Sequence, residues 1–404
     1  GYMDKLTVQD LSPEEKKVLV RVDFNVPMQD GKILDDIRIR SAMPTINYLL
    51  KKHAAVILMS HLGRPKGQGF QEEYSLQPVV DVLEGYLGHH VPLAPDCVGE
   101  VARQAVAQLS PGRVLLLENL RFHIGEEHPE KDPTFAAELS SYGDFYVNDA
   151  FGTSHRKHAS VYVVPQAFPG RAAAGLLMEK ELEFLGRHLL TSPKRPFTAI
   201  LGGAKISSKI GVIEALLNQV DYLLLAGGMG FTFLQALGKS LGNSLVEKSA
   251  LDLARNVLKI AKSRNVTIVL PSDVKAAENL QSKEYSVISI DQGIPPHLQG
   301  FDIGPRTTEE FIRIINQSAT VFWNGPVGVY EVPPFDSGSI AIANALGNHP
   351  SAVTVVGGGD AAAVVALAGC STKVSHVSTG GGASLEFLEQ GFLPGTEVLS
   401  PSKS

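Results

Sequence analysis

Charged and polar side chains recur in the first half of the sequence, each time directly after a short β-branched run. Guanidinium groups present fork-shaped donors that match phosphate and carboxylate oxygens. Any single arginine could be a solvated surface residue, but the recurrence after successive strands predicts a site for a small, highly charged anion. The residues of this set are Arg21, Asp23, Asn25, Arg38, His61, Arg64, Arg121 and Arg156.

Glycine-rich turns take the corresponding positions in the second half. Glycine lets backbone amides approach a phosphate closely, and a helix that begins there adds its positive end. One cluster could be only a tight turn, but five at strand ends predict a nucleotide site, in which Lys205 suits a terminal phosphate and Asp360 suits Mg²⁺. The clusters are residues 202–205, 227–230, 324–328, 357–360 and 380–382.

Two other nucleotide-binding motifs fail on inspection. Residues 238–240 imitate the end of a P-loop, but Phe233 stands where the first glycine is required. Residues 357–362 loosely match a dinucleotide fingerprint, but no carboxylate follows at the next strand end, near Val377–Thr379, to hold a ribose. The sequence therefore does not favour an NAD-binding site.

Ligands of open parallel sheets bind beyond the carboxyl ends of the strands, so repeated βα units are needed to bring these turns to one edge. The β-branched runs alternate with helical patterns in both halves, which predicts an α/β fold with two doubly wound, Rossmann-like parallel sheets. The predicted strands are Val18–Val22, Val56–Met59, Val114–Leu117, Phe145–Val147, Thr198–Leu201, Tyr222–Ala226, Val266–Leu270, Thr320–Trp323 and Val353–Val356.

A chain of 404 residues exceeds what one hydrophobic core usually supports, so we expect two lobes. Leu176–Leu190 predicts an amphipathic hinge helix, and the polar, proline-broken segment 191–196 predicts a linker. The expected first domain is residues 1–174, with residues 391–404 packing back on it. Residues 175–196 are the expected helix and linker, and the expected second domain is residues 197–390. In the last of these, Thr307 and Glu310 predict a capping box that starts a helix.

The composition excludes several kinds of partner. A net charge of -6 and a pI near 6.1 disfavour nucleic acid. The apolar run Ala352–Cys370 contains Asp360 and three consecutive glycines, so it predicts a strand, a turn and a helix rather than a membrane span. Two cysteines cannot build a disulfide framework, and no apolar signal stretch opens the chain. These features predict a cytoplasmic protein.

Three blocks of the first half resemble the phosphoglycerate kinase family: residues 21–27 (RVDFNVP), 60–65 (SHLGRP) and 117–121 (LENLR). The second half agrees through 201–205, 323–328, 357–360 and 376–386. Together the blocks cover essentially the whole chain in family order.

The resemblance implies an amino-terminal lobe that binds 3-phosphoglycerate or 1,3-bisphosphoglycerate, a carboxy-terminal lobe that binds ADP or ATP with Mg²⁺, and closure about a hinge in a monomer. It implies that the triose site consists of Asp23, Phe24, Asn25, Arg38, His61, Leu62, Gly63, Arg64, Arg121 and Arg156. The implied nucleotide site consists of Gly203, Lys205, Lys209, Gly228, Gly300, Asn324, Pro326, Glu331, Gly357, Gly358, Gly359, Asp360 and Ala361, with Asp360 as the metal ligand.

The reaction needs alignment and neutralisation of charge rather than a general base, because the attacking oxygen is already anionic. We expect Arg38 and Lys205 to clamp the transferring phosphoryl group, helped by backbone amides near Gly359 and Gly381. Ala361 stands where the family usually has a hydroxyl residue, and we expect Ala361→Thr to tighten binding of MgADP modestly.

Three alternatives stay open at this stage. A nucleotide-dependent ligase that activates another carboxylate would use similar cations and glycine turns. An adhesive or scaffold protein could keep the fold without the chemistry. An NAD-dependent dehydrogenase is the third alternative.

A structural ion pair of Arg38 with Asp35 or Asp36 would argue against the catalytic role of that arginine.

Overall fold

The computed structural model describes residues 4–282 and 284–403. These residues form two compact units. The first runs up to Glu183 and takes in the carboxy-terminal segment from Phe392, and the second is Phe184–Gly391. Within the described residues, no helix combines the length and the apolar character that crossing a bilayer requires.

The first unit is built on a five-stranded parallel sheet in the order β5-β4-β1-β6-β7, with a short antiparallel hairpin, β2-β3, outside it. The strands of the main sheet are almost fully buried, since helices cover both faces. The strands are β1 Lys17–Arg21, β2 Met28–Gln29, β3 Lys32–Ile33, β4 Ala55–Met59, β5 Val114–Leu116, β6 Phe145–Asn148 and β7 Ala172–Ala174. The helices are α1 Ile37–Lys51, α2 Gln77–Leu87, α3 Glu100–Gln108, α4 Ile124–Glu127, α5 Pro133–Ser140 and α6 Leu176–Glu181.

The predicted hinge helix is not a single α-helix. The α-helical turns of α6 end at Glu181, and the chain continues as a π-helix over Leu182–Thr191. The boundary between the two units falls within this segment, after Glu183. The amphipathic pattern predicted a continuous helix, but not the change of hydrogen bonding within it.

The second unit contains a six-stranded parallel sheet in the order β10-β9-β8-β14-β15-β16 and a three-stranded antiparallel sheet in the order β12-β11-β13. The strands are β8 Phe197–Leu201, β9 Tyr222–Leu225, β10 Thr267–Val269, β11 Asp273–Ala277, β12 Ser286–Ser289, β13 Gln299–Ile303, β14 Thr320–Asn324, β15 Val353–Gly357 and β16 His376–Ser378. The helices are α7 Ile210–Leu217, α8 Gly227–Ala236, α9 Leu251–Ser263, α10 Pro305–Gln317, α11 Ser337–Gly347, α12 Gly359–Leu367 and α13 Gly382–Gln390.

The predicted α/β class with two parallel sheets is confirmed, and the apolar run Ala352–Cys370 forms β15 and α12 as predicted. The predicted capping box is wrong. Helix α10 begins at Pro305 with Gly304 as its N-cap, and the Thr307 hydroxyl donates to the Asp273 carboxylate at 2.6 Å instead. A proline at the first helical position starts the helix three residues earlier than a Thr307 N-cap would, because its fixed φ already suits a helix.

The carboxy-terminal segment belongs to the first unit. It contains the short helix α14, Pro394–Glu397. The amide of Ser400 donates to the carbonyl of Ala172 at 2.8 Å, and the amide of Leu6 donates to the carbonyl of Ser400 at 2.8 Å. These bonds tie both ends of the chain to the edge of the sheet at β7.

Candidate functional site

The strand register of the first unit brings the predicted anion-binding turns to one edge. Arg21, at the end of β1, pairs with Met59 of β4 and with Asn148 of β6. Leu58 of β4 pairs with Leu116 of β5. The turns that follow these strands therefore leave the sheet at the same level, as ligand-binding edges of parallel sheets require.

Arg21 itself is not directed to solvent, although the sequence grouped it with the anion-binding cations. Its side chain is 1 % exposed. The Nε atom donates to Ser160 Oγ at 2.8 Å, and Nη2 lies 3.7 Å from the Glu126 carboxylate. Glu126 is buried as well and accepts from the amide of Ser160 at 2.9 Å. Arg21 therefore supports the edge from within instead of lining it.

His61 is held by this buried arginine. Nη2 of Arg21 lies 2.9 Å from Nδ1 of His61. A guanidinium group can only donate, so Nδ1 is the acceptor and the proton of the neutral ring is on Nε2. Burial, and then the positive charges of Arg21, Arg121 and Arg38, lower the pKa of His61 well below its ordinary value. His61 is therefore a neutral N–H donor among cations.

Arg38 is positioned by the turn after β1. Its Nη1 donates to the carbonyl of Asn25 at 2.7 Å and pairs with Asp23 at 3.3 Å. The Asn25 side chain in turn accepts from the amide of Gly63 at 2.8 Å, which joins this turn to the one after β4. The arginine remains half-buried, with an exposed fraction of 34 % for its side chain.

The alternative ion pair of Arg38 with Asp35 or Asp36 is not formed. Asp36 pairs with Arg40 at 2.9 Å, and Asp35 accepts from the amide of Ile37. The partner of Arg38 is a residue of the predicted site, Asp23.

Arg121 lies in a 3-10 turn, Leu120–Phe122, after β5. The side chain of Asn119 caps this turn by accepting from the amide of Arg121 at 3.0 Å, and Nη1 of Arg121 donates to the carbonyl of Gly63 at 3.0 Å. Burial, and to a smaller extent the positive charges of Arg21 and Arg156, lower the pKa of Arg121 against the opposing charge of Glu127.

Phe24, Leu62, Arg64 and Arg156 differ in what they can offer a ligand. Phe24 and Leu62 belong to the hydrophobic core, so their side chains face away from the edge and only their backbones could take part. Arg64 and Arg156 are exposed. Sequence reasoning missed the supporting residues Ser160 and Glu126, which are buried polar groups with no local pattern.

The register of the second unit aligns its glycine turns in the same way. Leu201, Asn324, Gly357 and Ser378 end neighbouring strands at one level. The turns after β8 and β14 touch through their backbones, and a Cβ atom on Gly202 would lie 1.9 Å from the carbonyl oxygen of Pro326. Only glycine permits this approach.

Lys209 bridges two of these turns. Its Nζ donates to the carbonyl of Gly202 and to the Asn324 side chain, both at 2.7 Å. Burial lowers the pKa of Lys209 to about 8, against the opposing charge of Asp360. The Asn324 amide also donates to the carbonyl of Gly357 at 2.8 Å, so one polar pair connects β8, β14 and β15.

Helices α8, α12 and α13 begin at glycine turns of this edge, at Gly227, Gly359 and Gly382. Their positive ends therefore point to the place where phosphates are expected. The backbone enters α12 through Gly358 at φ +92°, a conformation that favours glycine. Gly203 and Gly381, which the sequence assigned to the nucleotide and the transferring group, also have positive φ.

Asp360 lies in the first turn of α12, exposed, and accepts from the Tyr330 hydroxyl at 3.0 Å. An exposed carboxylate fits Mg²⁺, which usually takes one or two carboxylates and keeps several waters. Lys205 is exposed in the turn after β8. Ala361, by contrast, is fully buried in the hydrophobic core.

The remaining predicted nucleotide residues lie around this edge. Gly228, the second residue of α8, lies close to the carbonyl oxygen of Ala204, which a Cβ atom would approach to 2.9 Å. Gly300 is in β13, not at a strand end, and lies against the ring of Phe231. Pro326 and Glu331 are in the segment after β14, which bonds to β13 through the amide of Val329 and the carbonyl of Phe301.

Each unit is built on a parallel sheet. The first unit has a cationic edge, and the second has an edge of glycine turns and helix N-termini. This combination defines a phosphoryl-transfer enzyme. The family model of phosphoglycerate kinase matches residues 8–391. The chain belongs to the phosphoglycerate kinase family and has phosphoglycerate kinase function.

Curated relatives and solved structures agree with this assignment. The chain is 82% identical over 402 residues to phosphoglycerate kinase of Chlamydia felis, covering 99% of the chain and 100% of the relative. It is 73% identical over 403 residues to that of Chlamydia muridarum, covering 100% of both. The structure of phosphoglycerate kinase from Coxiella burnetii superposes with a TM-score of 0.88 at 38% identity, and the one from Pyrococcus horikoshii with 0.82 at 32%; each comparison covers 98% of both chains.

Family membership decides between the alternatives that the sequence left open. The enzyme is a kinase, so the ligase, the NAD-dependent dehydrogenase and the silent binding protein are set aside. The predicted class of enzyme is confirmed.

Proposed function

We propose that the cationic edge of the first unit binds 3-phosphoglycerate and 1,3-bisphosphoglycerate. The observation that supports this most directly is the hydrogen-bonded set of Arg38, Asn25, Gly63 and Arg121, which holds two half-buried guanidinium groups near neutral His61. Such a set matches a carboxylate or phosphate anion. The full proposed site is Asp23, Asn25, Arg38, His61, Arg64, Arg121 and Arg156, with the backbone of Phe24, Leu62 and Gly63.

The edge of the second unit is proposed to bind ADP or ATP. Aligned glycine turns and three helix N-termini supply backbone donors for phosphates, and Lys209 supplies a positive charge beside them. The proposed residues are Gly203, Lys205, Lys209, Gly228, Gly300, Asn324, Pro326, Glu331, Gly357, Gly358, Gly359, Asp360 and the backbone of Ala361.

Chemically, the proposed roles are positioning and neutralisation of charge. Arg38 and Lys205 neutralise the transferring phosphoryl group, and the amides near Gly359 and Gly381 stabilise its oxygens. Asp360 would hold Mg²⁺, which when bound neutralises phosphate oxygens. His61 donates a hydrogen bond from Nε2 and takes no proton, in agreement with its lowered pKa.

A coupled assay tests this assignment. The full chain is mixed with 3-phosphoglycerate and MgATP, and the product is coupled to a triose-phosphate dehydrogenase that consumes NADH. Donors of this kind contribute roughly 3 kcal/mol, so Arg38→Ala and Lys205→Ala should each lower kcat about a hundredfold or more.

Matched control variants are Arg40→Ala, which loses a surface pair with Asp36, and Lys259→Ala on the exposed face of α9. Both should turn over like the parent enzyme. Normal turnover of Arg38→Ala or Lys205→Ala, with the far-ultraviolet circular dichroism of the parent, would show that the residue is misassigned.

The protein is further proposed to act as a monomer in the cytoplasm. Cys97 and Cys370 are both free and buried, which agrees with a reducing compartment. Light scattering coupled to size exclusion should give the mass of one 43.3 kDa chain. A mass of two or more chains would contradict the proposal.

A further inference from the structure

Three side chains of the first unit, outside the sites described above, bring together three different kinds of ligand atom. Asp96 and Cys97 lie in the segment between α2 and α3, and His123 directly follows the 3-10 turn Leu120–Phe122. One oxygen, one sulfur and one nitrogen of these residues all lie within 4.8 Å of one another.

Their neighbours hold these groups in place. Nε2 of His123 lies 2.7 Å from Oδ1 of Asp96, and the same oxygen accepts from the amide of Cys97 at 2.7 Å. The His123 ring stacks on Phe135 with 5.4 Å between centroids. The side chains of His123 and Asp96 are 28 % and 37 % exposed, whereas Cys97 is fully buried. The cluster therefore has a buried thiol on one side and an opening to solvent on the other.

We propose that Asp96, Cys97 and His123 bind a thiophilic divalent cation of the Zn²⁺ class, with water as the fourth ligand. Thiolate, imidazole and carboxylate are the three donors that zinc takes in proteins, with bonds of about 2.0 to 2.3 Å. Such bonds place ligand atoms roughly 3.5 Å apart in a tetrahedron, so the cluster needs to contract by about 1 Å. Mg²⁺ and Ca²⁺ prefer oxygen donors and are not expected here.

The chemistry of binding is an exchange of protons for the cation. The Cys97 thiol releases its proton to solvent as the Zn–S bond forms. Nε2 of His123, which donates its proton to Asp96 in the metal-free protein, becomes a ligand of the cation when the neutral ring carries its proton on Nδ1 instead. The hydrogen bond between His123 and Asp96 is then replaced by one bond from each residue to the cation. Because the thiol must lose its proton, binding should weaken as the pH falls. The competing account is a hydrogen-bonded His123–Asp96 pair beside a thiol that only fills space.

The experiment is a Cd²⁺ titration of the reduced, metal-free full chain, followed through the ultraviolet charge-transfer band of a cadmium thiolate. Zn²⁺ competition then gives the affinity for zinc. We expect one equivalent of Cd²⁺ to bind, with no band in Cys97→Ser. His123→Gln should weaken binding by more than about tenfold, since even outer-shell changes cost that much.

The control is Cys370→Ser, which removes the other buried thiol. Cys370 lies in the core of the second unit, where its sulfur is 3.6 Å from the side-chain oxygen of Asn344. This variant should keep the band, and a large excess of Mg²⁺ should not displace the bound cation.

Three results would overturn the proposal: no band in the parent protein, a band that persists in Cys97→Ser, or a band that disappears in Cys370→Ser. Because Cys97→Ser could fail to fold, His123→Gln and Asp96→Asn are decisive by themselves. Binding of parent strength in both, with unchanged circular dichroism, would show that the thiol alone captures the metal and that no three-ligand site exists.

Discussion

Nη2 of Arg21 lies 2.9 Å from Nδ1 of His61, and both side chains are buried. The bond fixes which ring nitrogen carries the proton, because arginine cannot accept. Arg21, which the sequence grouped with the anion-binding cations, therefore orients His61, a residue of the proposed triose site. The charge of Arg21 is balanced by buried Glu126.

The first prediction concerns this bond. Arg21→Lys keeps the charge but loses the fork that contacts His61 and Ser160 together, so KM for 3-phosphoglycerate should rise about tenfold or more. Nitrogen-15 NMR should show that His61 loses its preference for the Nε2–H tautomer. Arg40→Lys, on the surface, is the control. An unchanged KM together with an unchanged tautomer would contradict the positioning role.

The second prediction concerns Lys209. Because its folded-state pKa of about 8 lies below the ordinary 10.5, the unfolded chain holds a proton that the folded chain lacks between these pH values. Stability should therefore rise with pH across this window. Relative to Lys209→Met, the parent should gain on the order of 2 kcal/mol of unfolding free energy from pH 7 to 9.5.

Urea unfolding monitored by Trp323, the only tryptophan and a buried residue of the second unit, measures this difference. Lys259→Met, at an exposed position, should show the pH dependence of the parent. Parallel curves of unfolding free energy against pH for the parent and Lys209→Met would mean that Lys209 titrates normally.

Lys209→Met should also weaken ADP binding more than about tenfold, since it removes a charge-assisted contact to phosphate.

The third prediction concerns the contact between the turns after β8 and β14. Gly202→Ala would place a Cβ atom 1.9 Å from the carbonyl oxygen of Pro326, so one turn must move. We expect a loss of at least about 2 kcal/mol of unfolding free energy. Gly382→Ala is the matched control, since its Cβ atom would meet no atom within 4 Å, and it should stay within about 0.5 kcal/mol of the parent. Equal stability of both variants would argue against a tight contact.

The fourth prediction concerns Ala361. Ala361→Thr adds a hydroxyl beside the turn after β15 and a methyl group inside a core that contains Val356 and Val364. We expect modestly tighter MgADP binding by calorimetry and a loss of about 1–3 kcal/mol in stability from overpacking. Ala361→Ser should keep the gain with a smaller loss. An unchanged or weaker dissociation constant in both variants would count against a role for the hydroxyl.

Much of the fold could be predicted because its signals are local. The nine predicted strands are all present, with ends within a residue or two, since short β-branched runs between turns have few alternatives. The glycine turns after β8, β14 and β15 are present for the same reason, whereas Arg21 is the last residue of β1 and Arg38 lies in α1. Strand β7, with the sequence Ala-Ala-Ala, has no such signal and exists because β6 pairs with it. The antiparallel sheet β12-β11-β13 likewise depends on pairing between distant segments.

What the sequence by itself determined is the order of the elements, the family and the set of residues available for chemistry. Only the tertiary structure decided which of these residues are buried and which are exposed at the strand ends. Arg21 turned inward to Glu126, 105 residues away in the chain, Phe24 and Leu62 joined the core, and Arg38 took Asp23 in place of its nearer neighbours. Hydrophobic periodicity is a property of neighbouring residues, whereas burial and the pairing of charges are set by segments that meet only when the chain is folded.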